Sequence, residues 1–510
     1  MPRKVTKAVQ DTETIPQENK TSRKIKRPAE DVGEEPPTKA QKTAVLAKSS
    51  QPKTKKGTGS AKPAVEAVKS PETSSASSQS RKRKSPELPT TAEGATLHCF
   101  GTNDCGQLGF TCEKRKFPAL VPSLENKKIT AVACGGMHTI VLEDNGSVWS
   151  FGLNDDKALG RFTKEEEDAF EPGKVDIKKK VTQISAGDSH SAALTEDGEV
   201  YAWGCFKDNN GNYGLIADDG EICREKPELL TRHLGTPIVK ISSGAHHIAM
   251  LGADGYLYTC GTGEQGQLGR QPEKPKRVTR SMGAISGSPV SHKEYLLKPA
   301  VVKITRSQRI TDLWTGEFST YCVTDKSKDV YVCGLNNYAQ LGIRKSDEKT
   351  VIQVPTKNTT FKGRKWKQIA AGQHHAIALS EEGKVFTLGR NTDGRLGIGS
   401  ETEEQDIFEP ILVEGLADKK CVLVAAGAST SYAVTEAGLL YSWGFGENFQ
   451  LAAGDDDDRD VPTQCFGKPN TPINGKVVNV SAGGQHVGVT ILVTKLLNGN
   501  AEKVPKVNGK

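Results

Sequence analysis

The string "FGTNDCGQLG" at Phe100–Gly109 returns along the chain as "FGLNDDKALG" (Phe151–Gly160), "CGTGEQGQLG" (Cys260–Gly269), "CGLNNYAQLG" (Cys333–Gly342), "LGRNTDGRLG" (Leu388–Gly397) and "WGFGENFQLA" (Trp443–Ala452). In these six copies eight steps separate the first Gly from the last position. A seventh copy, "WGCFKDNNGNYG" (Trp203–Gly214), takes ten steps from Gly204 to Gly214, so two residues are inserted there alone. A second motif alternates with the first: "ACGGMHTIVL" (Ala133–Leu142), "SAGDSHSAAL" (Ser185–Leu194), "SSGAHHIAML" (Ser242–Leu251), "WTGEFSTYCV" (Trp314–Val323), "AAGQHHAIAL" (Ala370–Leu379), "AAGASTSYAV" (Ala425–Val434) and "SAGGQHVGVT" (Ser481–Thr490). Most copies run on through an acidic or polar residue and Gly into a second apolar stretch, as in "TEDGEVYAWG". Short apolar strands joined by Asp-Gly or Glu-Gly turns are hairpins whose turns need positive φ.

The unit spans about 50 to 57 residues, stretched to 73 between Gly261 and Gly334. Antiparallel sheets of that size, repeated radially, are propeller blades. The fold class is therefore all-β, a seven-bladed β-propeller. Its phase carries a second expectation. The repeat region opens with the second half of a hairpin, "TLHCFG" (Thr96–Gly101), and closes with a first half, "SAGGQHVGVTILV" (Ser481–Val493). Neither half can satisfy its edge alone, so N- and C-terminal strands should pair to close the ring. The domain reading is 1–93 basic tail, 94–495 propeller and 496–510 flexible C-terminal tail.

The chain has 510 residues, 35% hydrophobic and 26% charged. No apolar run approaches the roughly 20 residues of a membrane span, and "MPRKVTKAVQ" is no signal peptide. The reading is a soluble, intracellular protein with no membrane partner. Its eleven Cys form no C-x-x-C pair and no His/Cys cluster at zinc spacing, so no metal and no cofactor is expected. The charge is uneven. Residues 1–93 hold 20 Lys/Arg against 11 Asp/Glu, a charge of +9, while the rest carries −2. The tail's Pro, Ser, Thr and Lys content predicts disorder. Two basic runs stand in it, "RKIKRP" with Arg23, Lys24, Lys26 and Arg27, and "SRKRKSPE" with Arg81, Lys82, Arg83 and Lys84. Such runs suit the acidic grooves of nuclear import receptors or the phosphates of DNA.

"GTGEQG" at Gly261–Gly266 satisfies G-x-G-x-x-G, the dinucleotide fingerprint, yet it shares its register with "GTNDCG" and leads into a loop containing Pro272 and Pro275. A true fingerprint opens a helix, so these glycines serve turns. His138, His190, His247, His375 and His486 close five of the seven A-G-x-x-H motifs. A residue repeated around a ring is best explained by a hydrogen bond every blade needs. Functional residues belong where the copies differ. The two positions before that His read Gly-Met, Asp-Ser, Ala-His, Glu-Phe, Gln-His, Ala-Ser and Gly-Gln, and of their polar members Asp188, His246 and His374 are the candidates. No nucleophile–base set appears, so no catalytic residue is assigned.

The alternation of W/F-G-x-N-x-x-G-Q-L-G with x-A-G-x-x-H-T/S resembles the regulator of chromosome condensation family over about Thr96 to Val493. The strings "AGDSHSAALTEDGEVYAWG", "FKDNNG", "CGTGEQGQLGR" and "AGGQH" are most similar to its founding member, the nuclear guanine nucleotide exchange factor for the small GTPase Ran. The resemblance implies a chromatin-associated, nuclear protein that promotes GDP release and GTP loading on Ran without covalent chemistry, and a monomer. It assigns the insertion, Phe206, Lys207, Asp208, Asn209, Asn210 and Gly211, to a β-wedge pressed beside the bound nucleotide. It places Asp188, His246, His374, His375 and Arg270 on loops facing the GTPase. Where the family pattern is "SGNDH" this chain has "SGAHH", so His246 stands where a carboxylate is expected. The long segment Gln271 to Pro299, with "KPKRVTR", matches a loop that contacts the nucleosome's acidic patch, through Arg277 and Arg280. The alternative reading is a chromatin-binding scaffold propeller without exchange activity.

Overall fold

The computed structural model describes residues 94–493 apart from 217–220, 272–290, 305–307, 345–349 and 400–405. Arg23, Lys24, Lys26, Arg27, Arg81–Lys84, Arg277 and Arg280 lie outside the described residues. Seven four-stranded antiparallel sheets make up the body. Six are built from consecutive chain, as in the second blade: Val181–Ala186, His190–Thr195, Val200–Gly204 and Arg224–Leu229. The seventh takes Lys476–Ala482 and His486–Leu492 from the C-terminal side and Thr96–Thr102 and Lys114–Leu120 from the N-terminal side. Thr96 pairs with Ile491 and Gly101 with His486. The expected closure by strands from the two ends is thus the one that forms.

Hairpin glycines adopt the anticipated conformation, for instance Gly198 at φ +85° and Gly383 at +83°. The glycine that ends each third strand is more constrained. Gly101, Gly152, Gly204, Gly261, Gly334, Gly389 and Gly444 all have positive φ, and a Cβ on any of them would fall 2.2–2.6 Å from a carbonyl oxygen of the A-G-x-x-H turn. That same carbonyl accepts the next residue's N–H, as in Cys205 to Ser189 (2.8 Å), Thr262 to His246 (2.9 Å) and Arg390 to His374 (2.9 Å). The two motifs are therefore halves of one clamp within a blade. Only a residue without Cβ lets the backbones approach that closely.

Between blades four of the five repeated histidines make the hydrogen bond anticipated for them, and His190 does not. His138 Nε2 lies 2.9 Å from Ser191 Oγ, His247 Nε2 3.0 Å from Thr320 Oγ1, His375 Nε2 3.0 Å from Ser431 Oγ, and His486 Nε2 2.8 Å from Thr139 Oγ1. Each hydroxyl, on the following blade, donates its proton to a carbonyl: Ala158, Gln267, Arg395 and Gln107 respectively. A hydroxyl has one proton, so the imidazole must donate from Nε2. Burial lowers these histidines to about 4 for His138 and about 3 for His247, His375 and His486. They stay neutral at physiological pH.

The same turns are also linked from blade to blade through backbone. Asp188 N–H donates to Ala245 O at 2.9 Å, Ala245 N–H to Glu317 O at 2.9 Å, and Gln373 N–H to Ala428 O at 3.2 Å. Gly484 N–H reaches Gly136 O at 3.2 Å across the closing blade.

Ser431→Ala removes the acceptor for His375 and the donor to Arg395 O together. Leaving buried polar groups unmatched costs about 1–3 kcal/mol. Denaturant unfolding should show a loss in that range, with the far-ultraviolet spectrum of the native state unchanged.

Candidate functional site

The insertion forms a two-stranded hairpin of its own, Phe206–Asp208 paired with Gly211–Gly214. It leaves the second blade at the end where the A-G-x-x-H turns cluster, since His190 pairs with Gly204 immediately before it. Asn209, Asn210, Gly211 and Asn212 are exposed. Asp208 Oδ1 accepts from Asn210 N–H at 2.8 Å, fixing the tip as an Asx turn. Its base is not exposed. Phe206 is fully buried and meets His190 edge-on, ring centroids 4.7 Å apart. This is the one junction at which a His faces a residue without a hydroxyl, Ile248, in the next blade. The wedge's aromatic takes the ground the usual hydroxyl clasp would occupy. Phe206 is thus a core pin, not a surface contact.

Lys207 joins the base to both neighbouring blades. Its Nζ lies 2.5 Å from Asp156 Oδ2 on the first blade, and its N–H donates to His246 Nδ1 on the third at 3.3 Å. Nδ1 accepting leaves the proton on Nε2, which faces Asp188 Oδ2 at 3.7 Å. Burial lowers the His246 pKa, against the pull of Asp188, so the ring is a neutral acceptor and not a replacement for a carboxylate charge. Asp188, His246 and the wedge, expected separately, form one cluster.

His374 lies elsewhere on this face. It packs edge-on against Tyr338, centroids 4.7 Å apart, and is lowered to about 4 by burial and by Arg395 and Arg390. Arg390 in turn stacks over Tyr338 at 4.7 Å.

Besides Phe206, two expected site residues are corrected. Arg270 is only 8% exposed, and its guanidinium donates to the carbonyls of Thr259, Tyr295, Leu296 and Lys298 at 2.9–3.1 Å. It fastens the short helix His292–Leu297 to the third blade and does not face a partner. That helix also replaces part of the loop read over Gln271–Pro299. His375 is fully buried in the interblade clasp. The acidic run Asp455–Asp458 has an internal role: Asp455 accepts twice from Arg459 at 2.7 Å, and Asp458 accepts from Gly446 N–H at 2.7 Å.

Residues not singled out in the sequence also reach this face. Glu317 occupies the position of Asp188 in the fourth blade. Burial, then the nearby Asp188 charge, raises its carboxyl to about 7, against the Arg395 charge. Asp156 is the other. Glu317 was visible as the acidic member of a variable pair, and Arg395 as an Arg where four copies have Gln. Asp156 sat inside a repeat and carried no such signal.

The family model for the RCC1-like domain matches residues 96–489. The chain belongs to that family. Human Regulator of chromosome condensation is 40% identical over 426 residues, 82% of this chain and 94% of the human protein. Two solved yeast structures share the fold at 28% identity and a TM-score of 0.70, each covering 80% of this chain. One is Prp20p from Saccharomyces cerevisiae, described with its binding to Gsp1p and histones (93% of that chain), and the other is yeast RCC1 (Prp20) bound by Kap60 (90%).

Glu317→Gln tests the raised carboxyl. An acid whose pKa rises from about 4.5 to about 7 on folding costs stability as pH climbs through that interval. The Gln variant should therefore melt above wild type at pH 8 and level with it at pH 4.5. Melting curves of the pair at the two pH values check this.

Proposed function

We propose that the chain is a chromatin-bound guanine nucleotide exchange factor for the small GTPase Ran. The observation that carries this is the wedge: a single blade extended by two residues, its base pinned and its Asn-rich tip exposed, amid the clustered turns bearing Asp188 and His246. Membership of the RCC1-like family and likeness to a yeast protein that binds Gsp1p support the GTPase as partner. Histone binding by that protein supports chromatin association, and the Kap60 complex supports delivery by a nuclear import receptor to the tail.

Exchange in this reading needs no covalent step. The factor binds the nucleotide-free GTPase more tightly than the loaded form, and linkage requires that it weaken nucleotide binding by the same factor. Either nucleotide then rebinds, and the excess of GTP sets the direction. The body, at −2, docks the GTPase as a monomer. The tail, at +9, contacts DNA phosphates, and Arg277 and Arg280 contact histone carboxylates. The +9 tail also places the protein in the nucleus, where Ran-GTP is then made beside the chromosomes.

Changing Lys207, Asp208 and Asn209 together to Ala should reduce stimulated release of fluorescent GDP from Ran at least tenfold while shifting the melting temperature by no more than a few degrees, because Phe206 still anchors the base. Release at the wild-type rate by a normally melting variant would remove the wedge from the mechanism.

Residues 94–510 without the tail should exchange at the wild-type rate and bind duplex DNA more weakly, with a shallower salt dependence, since phosphate binding follows the number of Lys/Arg engaged. Parallel DNA titrations at two salt concentrations decide it.

A further inference from the structure

Lys207 is the wedge's cation, and a cation on a hairpin pressed beside a bound nucleotide invites the reading that it reaches for the GTPase or its phosphates. The geometry points elsewhere. The ammonium is already engaged, 2.5 Å from a carboxylate that is itself only 13% exposed. That carboxylate belongs to Asp156, in the connection between the first blade's third and fourth strands, Val148–Gly152 and Gly173–Val175, one blade away in the ring. The same residue's N–H is held by His246 from the opposite side. The core side of the hairpin is held by the buried Phe206 and, on the return strand, by half-buried Tyr213 under the Lys293 ammonium at 5.3 Å. Between them the tip beyond Asp208 is solvent-exposed, and the Lys207 contacts are what tie the outgoing strand to the neighbouring blades.

We propose that Asp156 is a positioning residue for exchange: it fixes the direction of the wedge through the Lys207 ammonium, which serves as an anchor and not as a cation offered to the GTPase. This rests on the exchange reading above. An ion pair between half-buried groups is screened less than a surface pair and is more strongly directional. A tip that stands off the ring amplifies any rotation at its base, and near-attack placement is lost with displacements of about an ångström. The anchor thus acts on the rate within the docked complex more than on docking, which the surrounding loops supply.

The test uses the full chain, with Ran loaded with fluorescent GDP, and the variants Asp156→Ala, Lys207→Ala, both together, Asp156→Glu, and the exchanged pair Asp156→Lys with Lys207→Asp. Each alanine variant should lower kcat about tenfold with KM changed less than twofold. The double variant should be no slower than either single one, because the pair acts as a unit. Asp156→Glu and the exchanged pair should recover most of the loss. Amide hydrogen exchange at residues 207–213 should speed up in Asp156→Ala while the blades keep their protection. Lys207→Ala far slower than Asp156→Ala, with no recovery by the exchanged pair, would show that the ammonium contacts the GTPase and would overturn the assignment. So would an Asp156→Ala variant that exchanges and protects the wedge like wild type. Failure of the wild-type protein to stimulate release would instead overturn the exchange reading itself, and this assignment with it.

Discussion

An imidazole that donates from Nε2 to a hydroxyl, which donates in turn to a carbonyl, joins one blade to the next in this ring. The arrangement has a requirement on each side of the junction. A His must close one blade's A-G-x-x-H turn, and a Ser or Thr must follow the corresponding position in the next. His138–Ser191, His247–Thr320, His375–Ser431 and His486–Thr139 meet both conditions. Where one side fails, so does the clasp: Ser319 precedes a blade with Ala376, Thr430 one with Val487, and His190 one with Ile248. Because each relay ends on a carbonyl in a Q-L-G-type segment, the clasp also fixes where the third strand's continuation lies. In the second blade the hairpin Phe206–Gly214 grows from that continuation.

The junction between the second and third blades shows the consequence. With no hydroxyl at Ile248, the space beside His190 is apolar, and Phe206 fills it. In four other copies the equivalent of Phe206 is Asn103, Asn154, Asn336 or Asn391, and in the first three the side-chain carbonyl caps the backbone N–H of Leu108, Leu159 or Leu341 and curls the segment back on the blade. A Phe cannot accept that bond. Here, with its two inserted residues, the chain continues outward as a hairpin.

This explains what could be read in advance. The number of blades, the ring closure, the structural duty of the histidines and the position of the wedge all follow from repetition and from one break in it, which are properties of the string itself. Side-chain direction is not. Arg270 ends a repeat as a polar residue at an apparent loop, but the carbonyls that hold it come from Thr259 on the blade and from the helix His292–Leu297 and its C-terminal neighbour Lys298, which the string does not bring together. Lys207 reads as an exposed cation because its partner, Asp156, is about fifty residues away in an ordinary repeat copy. A second small hairpin, Phe466–Lys468 with Thr471–Pro472, escaped notice because it lies in a connection between blades that has no repeated motif to depart from. It projects from the opposite end of the strands, where Gln464 pairs with Tyr441.

The clustering of Asp156, Lys207, His246 and Asp188 bears on how a non-covalent exchange factor can work at all. Its effect on nucleotide affinity is limited to the difference between its affinities for the empty and the loaded GTPase. Ordering a loose hairpin at the moment of contact would subtract from that difference, at about 0.5–1.5 kcal/mol for each side chain immobilised. Here the ordering has been done during folding, by Phe206 in the core, by the Asp156–Lys207 pair and by the bond from Lys207 N–H to His246. The neutral state of His246 matters for the same reason: a protonated ring would give up its acceptor nitrogen and place a charge beside the Lys207 ammonium. An imidazole where the family pattern has a carboxylate removes a charge from the face but keeps an acceptor aimed at the wedge, and that acceptor is one of the three contacts that hold the hairpin in place.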